Sequence, residues 1–267
     1  MTPFEAAILG LVEGLTEYLP ISSTGHLILV SWLMGHADDD AIKSFEIVIQ
    51  AGAILAVVGL YWQRMVAMVR GACGGDEAGR RLLINLVIAF LPAGVLGALL
   101  HKPIKSFLFG PWPVAAALVI GGVVMIALDR LRARRLTSGR ELDALTPRGA
   151  LLIGAAQCVA MWPGTSRALA TILGGLGVGL TPAAAAEFSF LLALPTLGGA
   201  AVFDTARNGS EMVAGISPLA MAIGIVVAFI SAAVAIKGFV AWLGSHGLVP
   251  FGVYRILLGL AVLFALS

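Results

Sequence analysis

Glu13 and Glu17 stand four residues apart in a 267-residue chain that carries few charges. Side chains at that spacing share one face of a helix, and like charges there repel unless a cation or a shared proton lies between them. A divalent metal with oxygen ligands, typically Mg2+ completed by water and substrate phosphates, resolves the conflict. One Glu buried neutral beside the other is the alternative. Pro20 ends that helix, and ISSTGH (21–26) follows. Ser22, Ser23 and Thr24 offer hydroxyls and backbone N–H groups at the start of HLILVSWLMG, an N-cap and an anion nest together. His26 falls in the first turn, where the helix dipole favours a neutral imidazole able to act as base or nucleophile.

A second constellation, PGTSR, occupies 163–167. Pro163 and Gly164 make a turn, Thr165 and Ser166 can cap, and Arg167 opens the helix RALATILGG. Arginine presents a planar fork matched to phosphate. Acids on one side and a guanidinium on the other are the parts of a phosphoryl-transfer site, in which positioning and charge stabilisation do most of the work. On this plan Glu13 and Glu17 hold the metal and Arg167 with two helix N-termini binds a diphosphate, its terminal phosphorus facing Ser23 or His26. One of these attacks or activates water, and Glu17 could serve a Ser nucleophile as base. Glu46, Gln50, Glu187 and Ser189 are expected on flanking spans, in support or in ordinary pairs.

The elements that position these residues belong in a bilayer. The chain is 59% hydrophobic and 12% charged, with a mean hydropathy of +0.98, against roughly 45–50% and about 25% in soluble domains. A soluble globular class and disorder are both excluded, and 33 glycines without a G-X-Y period exclude collagen. The class is an all-α polytopic membrane protein. Six stretches read as transmembrane helices: 44–62, 82–100, 112–128, 183–202, 219–236 and 251–266. Two more, 4–34 and 149–179, are interrupted by EYLPISSTGH and MWPGTSR, and each reads as two half-length helices joined by a polar turn. Irregular backbone at membrane depth is tolerated only where protein buries it or it lines a wet cavity, so both read as re-entrant hairpins. Cys73 and Cys158 form no framework and read as structural. The N-terminus has no basic n-region of a secretory signal and reads as part of the mature protein.

Ten of the 17 Lys and Arg lie in two loops, at Arg64, Arg70, Arg80 and Arg81 and at Arg130, Arg132, Arg134, Arg135, Arg140 and Arg148. The positive-inside rule makes that face cytoplasmic and puts both termini outside. The chain also resembles itself. Gly10, Glu13, Tyr18 and Ser22 lie over Gly154, Gln157, Trp162 and Ser166 at an offset of 144, and VIAFLPAGV (87–95) over VVAFISAAV (226–234) at 139. This divides one membrane domain into a first repeat (1–131), a basic linker (132–148) and a second repeat (149–267). Three spans per repeat make the second enter upside down, an inverted repeat that brings broken helices together near the midplane around an anion site.

EGLTEYLPISSTGHLILV (13–30) and WPGTSRALAT (162–171) resemble the bacterial undecaprenyl-diphosphate phosphatases, the bacitracin resistance protein family. FEIVIQAGAILAVV (45–58), EFSFLLALP (187–195) and PFGVYR (250–255) extend the likeness along the chain. The resemblance implies hydrolysis of undecaprenyl diphosphate to the monophosphate carrier lipid of cell-wall synthesis. It further implies a divalent cation, Mg2+ with Ca2+ as the other option, a homodimer in the bacterial inner membrane, a site opening to the periplasm and no nucleic-acid partner. The family's E-x-x-x-E falls on Glu13 and Glu17, its SSTGH on Ser22, Ser23, Thr24, Gly25 and His26, and its P-G-x-S-R-S-x-x-T on Pro163, Gly164, Ser166, Arg167 and Thr171. Ala168 stands where that last motif has its second Ser. A lipid transporter or flippase is the competing class, since inverted repeats with broken helices also serve alternating access.

Overall fold

A helix start leaves backbone N–H groups without partners, and the chain supplies acceptors at matching places in its two halves. The computed structural model describes residues 1–36, 40–108, 110–132, 139–212 and 216–265. Its α-helices are α1 (Pro3–Glu17), α2 (Ser23–Leu33), α3 (Asp40–Leu60), α4 (Trp62–Ala72), α5 (Glu77–Leu108) and α6 (Pro111–Arg132). Then come α7 (Pro147–Gln157), α8 (Arg167–Gly177), α9 (Pro182–Met212), α10 (Pro218–Leu243) and α11 (Val249–Ala265), with a 3-10 turn at Cys158–Met161 extending α7. No strand occurs among the described residues. Thr2 caps α1 by accepting from Glu5 N (3.2 Å) while Thr2 N donates back to Glu5 Oε2 (2.6 Å), with Pro3 in the first turn. Thr146 caps α7 by accepting from Gly149 N (3.2 Å), with Pro147 in the first turn. These caps are 144 residues apart, the offset of the internal resemblance.

Among the described residues five helices are long and apolar enough to cross a membrane: Ala41–Leu60, Glu77–Leu100, Trp112–Leu131, Pro182–Val202 and Pro218–Leu243. The sixth expected span forms the 17-residue α11, about 26 Å long at about 1.5 Å per residue, a little short of a core about 30 Å thick. Both interrupted segments are pairs of short helices joined by turns, α1 to α2 and α7 to α8. The stretch after Tyr61, read from sequence as a basic loop, instead forms α4. It buries Met68 and Gly71 and packs back along α5. Gly79 allows this, because a Cβ there would overlap the Ala67 carbonyl of α4. The basic linker falls partly outside the described residues. At its far end Arg140 N donates to Gly179 O (2.9 Å) and Thr181 N to Arg140 O (3.0 Å), so the linker docks beyond α8.

Packing repeats across the halves. α1 lies on α10 as α7 lies on α5, α3 meets α10 as α9 meets α5, and α6 pairs with α11. In a bilayer lipid tails are as apolar as leucine, so helices associate through close van der Waals fit at small residues. At Gly10 and Gly14 a Cβ would strike the α10 backbone at Gly224 and Ala228. The α6–α11 pair supports both turns: Trp162 Nε1 donates to Pro113 O (2.9 Å), and Leu118 packs against Gly25.

Candidate active site

Two serines hold the backbone in a region that L-residues avoid. Ser22 and Ser166 both have φ 75°, with ψ 98° and 117°, and among the described residues they are the positive-φ non-glycine residues. Such conformations cost about 1–3 kcal/mol each and collect at functional sites. Each serine turns the chain into a helix and caps it, Ser22 Oγ accepting from Gly25 N (3.4 Å) and Ser166 Oγ from Leu169 N (3.2 Å). The first residues of α2 and α8 are therefore Ser23 and Arg167.

Those two residues meet on Glu17, at the last position of α1. Arg167 Nη2 donates to Glu17 Oε1 (2.9 Å), and Ser23 Oγ donates to Glu17 Oε2 (2.5 Å). Each carboxylate oxygen thus serves a different hairpin. Arg167 Nη1 donates to Ser189 O (2.8 Å), and its guanidinium carbon lies 5.6 Å from the centre of the Tyr18 ring, within the range of cation–π attraction. Tyr18 is held by its own bond to Ala53 O (2.8 Å) and by an edge contact with Phe190. Thr171, expected in the site, is buried one helical turn past Arg167 and shares a hydrogen bond with Ser189 Oγ (2.6 Å). Ala168 is fully buried in the large apolar cluster, and its carbonyl accepts from Thr171 Oγ1 (3.3 Å).

Glu13 is fully buried, and neither carboxylate oxygen has a hydrogen-bond partner. The charges acting on it are Glu17, Glu46 and Arg167. Arg167 Nε is likewise buried without a partner. Buried polar groups are normally satisfied, so an orphaned acceptor pair and an orphaned cationic donor at one place fit a cation and an anion respectively. No group of three or more His, Cys, Asp or Glu able to hold a metal occurs among the described residues. Two carboxylates nevertheless suit Mg2+, which usually takes one or two and fills its other positions with water and phosphate oxygens.

His26 sits apart from this chain of bonds. Its Nδ1 is 2.7 Å from Ser22 O and its Nε2 is 2.7 Å from Tyr254 Oη, with the two rings stacked at 7°. A carbonyl only accepts, so Nδ1 carries the proton, and when the ring is neutral Nε2 accepts from Tyr254 Oη. Thr24 is half-buried in the first turn of α2 and Thr165 in the loop before α8, and Gly164 (φ 92°) leaves no room for a side chain beside the Val114 carbonyl. Glu46 accepts from Ser31 Oγ (2.8 Å), and Glu187 pairs with Arg64 (2.8 Å). Tyr18 and Tyr254 were not expected here. Their partners lie 35 and 228 residues away, and no local pattern marks such pairs.

The comparisons with known proteins agree along the chain. Residues 6–261 match the sequence model of the bacitracin resistance protein BacA. The chain is 51% identical over 265 residues to the undecaprenyl-diphosphatase of Sorangium cellulosum, covering 98% of this chain and 85% of the relative. It is 49% identical over 259 residues to undecaprenyl-diphosphatase 2 of Rhodospirillum rubrum, covering 97% and 93%. With the undecaprenyl-diphosphatase of Wolinella succinogenes it shares 46% over 268 residues, covering 100% and 99%. A match of that extent, on a chain whose two capped turns carry the motifs, places the protein in the BacA family.

Proposed function

We propose that the chain is an integral membrane phosphatase that hydrolyses undecaprenyl diphosphate to undecaprenyl phosphate and inorganic phosphate. That activity returns the carrier lipid to cell-wall synthesis and underlies resistance to bacitracin. The names of the relatives support this reading and give the transport alternative no support. The observation that carries it is the run Ser23–Glu17–Arg167, in which one carboxylate joins a hydroxyl from the first hairpin to a guanidinium from the second.

In this reading Arg167 binds the diphosphate with its free Nε and with the N–H groups opening α2 and α8. Ser23 Oγ attacks the terminal phosphorus as its proton passes to Glu17, the anhydride P–O bond breaks, and undecaprenyl phosphate leaves. Water then releases phosphate from the serine. Glu13 and Glu17 would hold a divalent cation, Mg2+ first, whose chemistry when bound is to neutralise charge on the phosphate oxygens. His26, held by Ser22 and Tyr254 and three residues along α2 from Ser23, serves as a positioning or proton-holding group. The polyprenyl tail lies along lipid-facing apolar grooves.

The finer architecture belongs to the same reading. Matched caps, strained serines and packing pairs support two inverted repeats, each with a re-entrant hairpin and three spans, α11 being the sixth. The basic loops support a cytoplasmic face opposite a periplasmic mouth, and the resemblance supports a homodimer. The test is phosphate release by purified protein in detergent with undecaprenyl diphosphate and Mg2+. Release by the wild type, lost in folded Glu17→Ala, Arg167→Ala and His26→Ala, is expected. Full activity in all three removes the site, and activity that needs sealed vesicles removes the hydrolase.

A further inference from the structure

Arg255 of α11 is 0% exposed, and no carboxylate lies within ion-pair distance of it among the described residues. A buried charge at membrane depth costs at least a few kcal/mol and requires a partner or a function. Its partners are three backbone carbonyls from three parts of the fold. Nη1 donates to Pro20 O (3.2 Å), and Nη2 donates to Gly164 O (2.8 Å) and Ala117 O (3.0 Å). Pro20 and Gly164 hold corresponding places in the two turns, 144 residues apart. Pro20 lies three residues beyond the end of α1, and Gly164 three residues beyond the 3-10 turn that extends α7. Ala117 belongs to α6, the helix paired with α11. One turn further along α6 is Gly121, where a Cβ would overlap Arg255 Nη2. The guanidinium is therefore a rigid cross-piece between two turns, braced on a third element that keeps a gap for it.

We propose that Arg255 is a positioning residue that fixes the separation of the two hairpin turns, so that Ser23 and Glu17 from one meet Arg167 from the other at reacting distance. This rests on the phosphatase reading of the same site. Arginine suits the task because its planar fork sends donors in several fixed directions, whereas a lysine ammonium is a point charge on a flexible stem. Arg255 touches neither Glu17 nor Arg167 and takes no part in proton transfer. Its loss should spoil alignment while leaving the lipid groove and the headgroup ligands in place.

The experiment measures kcat, KM and melting temperature for Arg255→Lys, Arg255→Met and Gly121→Ala in detergent with undecaprenyl diphosphate and Mg2+. Misplacement of reacting groups by about 1 Å costs about 10²-fold. A fall in kcat of that order with KM within about twofold of wild type is expected, in Gly121→Ala as well as in the Arg255 variants, and Lys does not rescue. Because Gly121→Ala keeps the charge and only displaces it, it decides the matter if the Arg255 variants fail to fold. Wild-type kcat in any folded variant overturns the proposal. Rescue by Lys, or misfolding of all three, overturns it as well, since the role would then be charge or bulk stability. Wild-type protein that releases no phosphate sinks the phosphatase reading itself.

Discussion

Glu17 divides its two oxygens between Ser23 and Arg167, and that division sets the order of effects among single substitutions. Removing a general base costs typically 10²–10⁴-fold. Glu17→Gln should therefore lower kcat for phosphate release by about that factor, and Ser23→Ala by no less. Tyr254→Phe takes one hydroxyl from His26 while leaving the Nδ1 bond to Ser22 and the ring stack. A hydrogen bond of this kind contributes about 0.5–1.5 kcal/mol net, so the cost in kcat should be about tenfold or less. Steady-state phosphate release checks all three, and a Ser23→Ala protein with wild-type kcat would pass the nucleophile's role to water or His26. Several of these residues were legible in the sequence because charged and hydroxyl groups stand out sharply in an apolar run. Glu13, Glu17, Ser23 and Arg167 are such cases. The contacts of Tyr18 and Tyr254 were not, since both join the site only through long-range packing, whereas Ser189, expected on a flanking span, supplies its carbonyl to Arg167.

At the scale of the element, the turn-and-cap unit at Ser22 and Ser166 combines an unfavourable φ with a favourable cap. Ser166→Gly relieves the backbone and loses the cap, while Ser166→Ala keeps the strain and loses the cap. The glycine variant should be the more stable by about 1–3 kcal/mol, read as a higher melting temperature, although both should release phosphate more slowly than wild type. Equal stability would mean that the turn is not strained. Both interrupted segments were legible because Pro20 and Pro163 break apolar runs at midlength. α4 was missed for a physical reason: Arg64 and Arg70 mark the stretch as a basic loop, and an 11-residue helix, although Met65, Met68 and Val69 are apolar, is too short to stand alone and is held by α5.

Across the molecule, the account requires the two halves to act as one machine. Weak internal resemblance at offsets of 144 and 139 reads as a duplication. The paired packing of α1 on α10 beside α7 on α5, and the shared α6–α11 support, is what two copies of one unit would give. The halves have also diverged in charge, with Gln157 and Met161 where the first has Glu13 and Glu17. Glu17 of the first half and Arg167 of the second are joined in one ion pair. The most direct measurement of that dependence is a double-mutant cycle on kcat/KM between Glu17→Gln and Arg167→Gln, with folding checked for each protein. The account predicts strong non-additivity, the double variant losing about as much as the worse single one, as expected of residues that act as a unit. Losses that simply multiply would show that Glu17 and Arg167 work independently, and would contradict a site shared between the two hairpins.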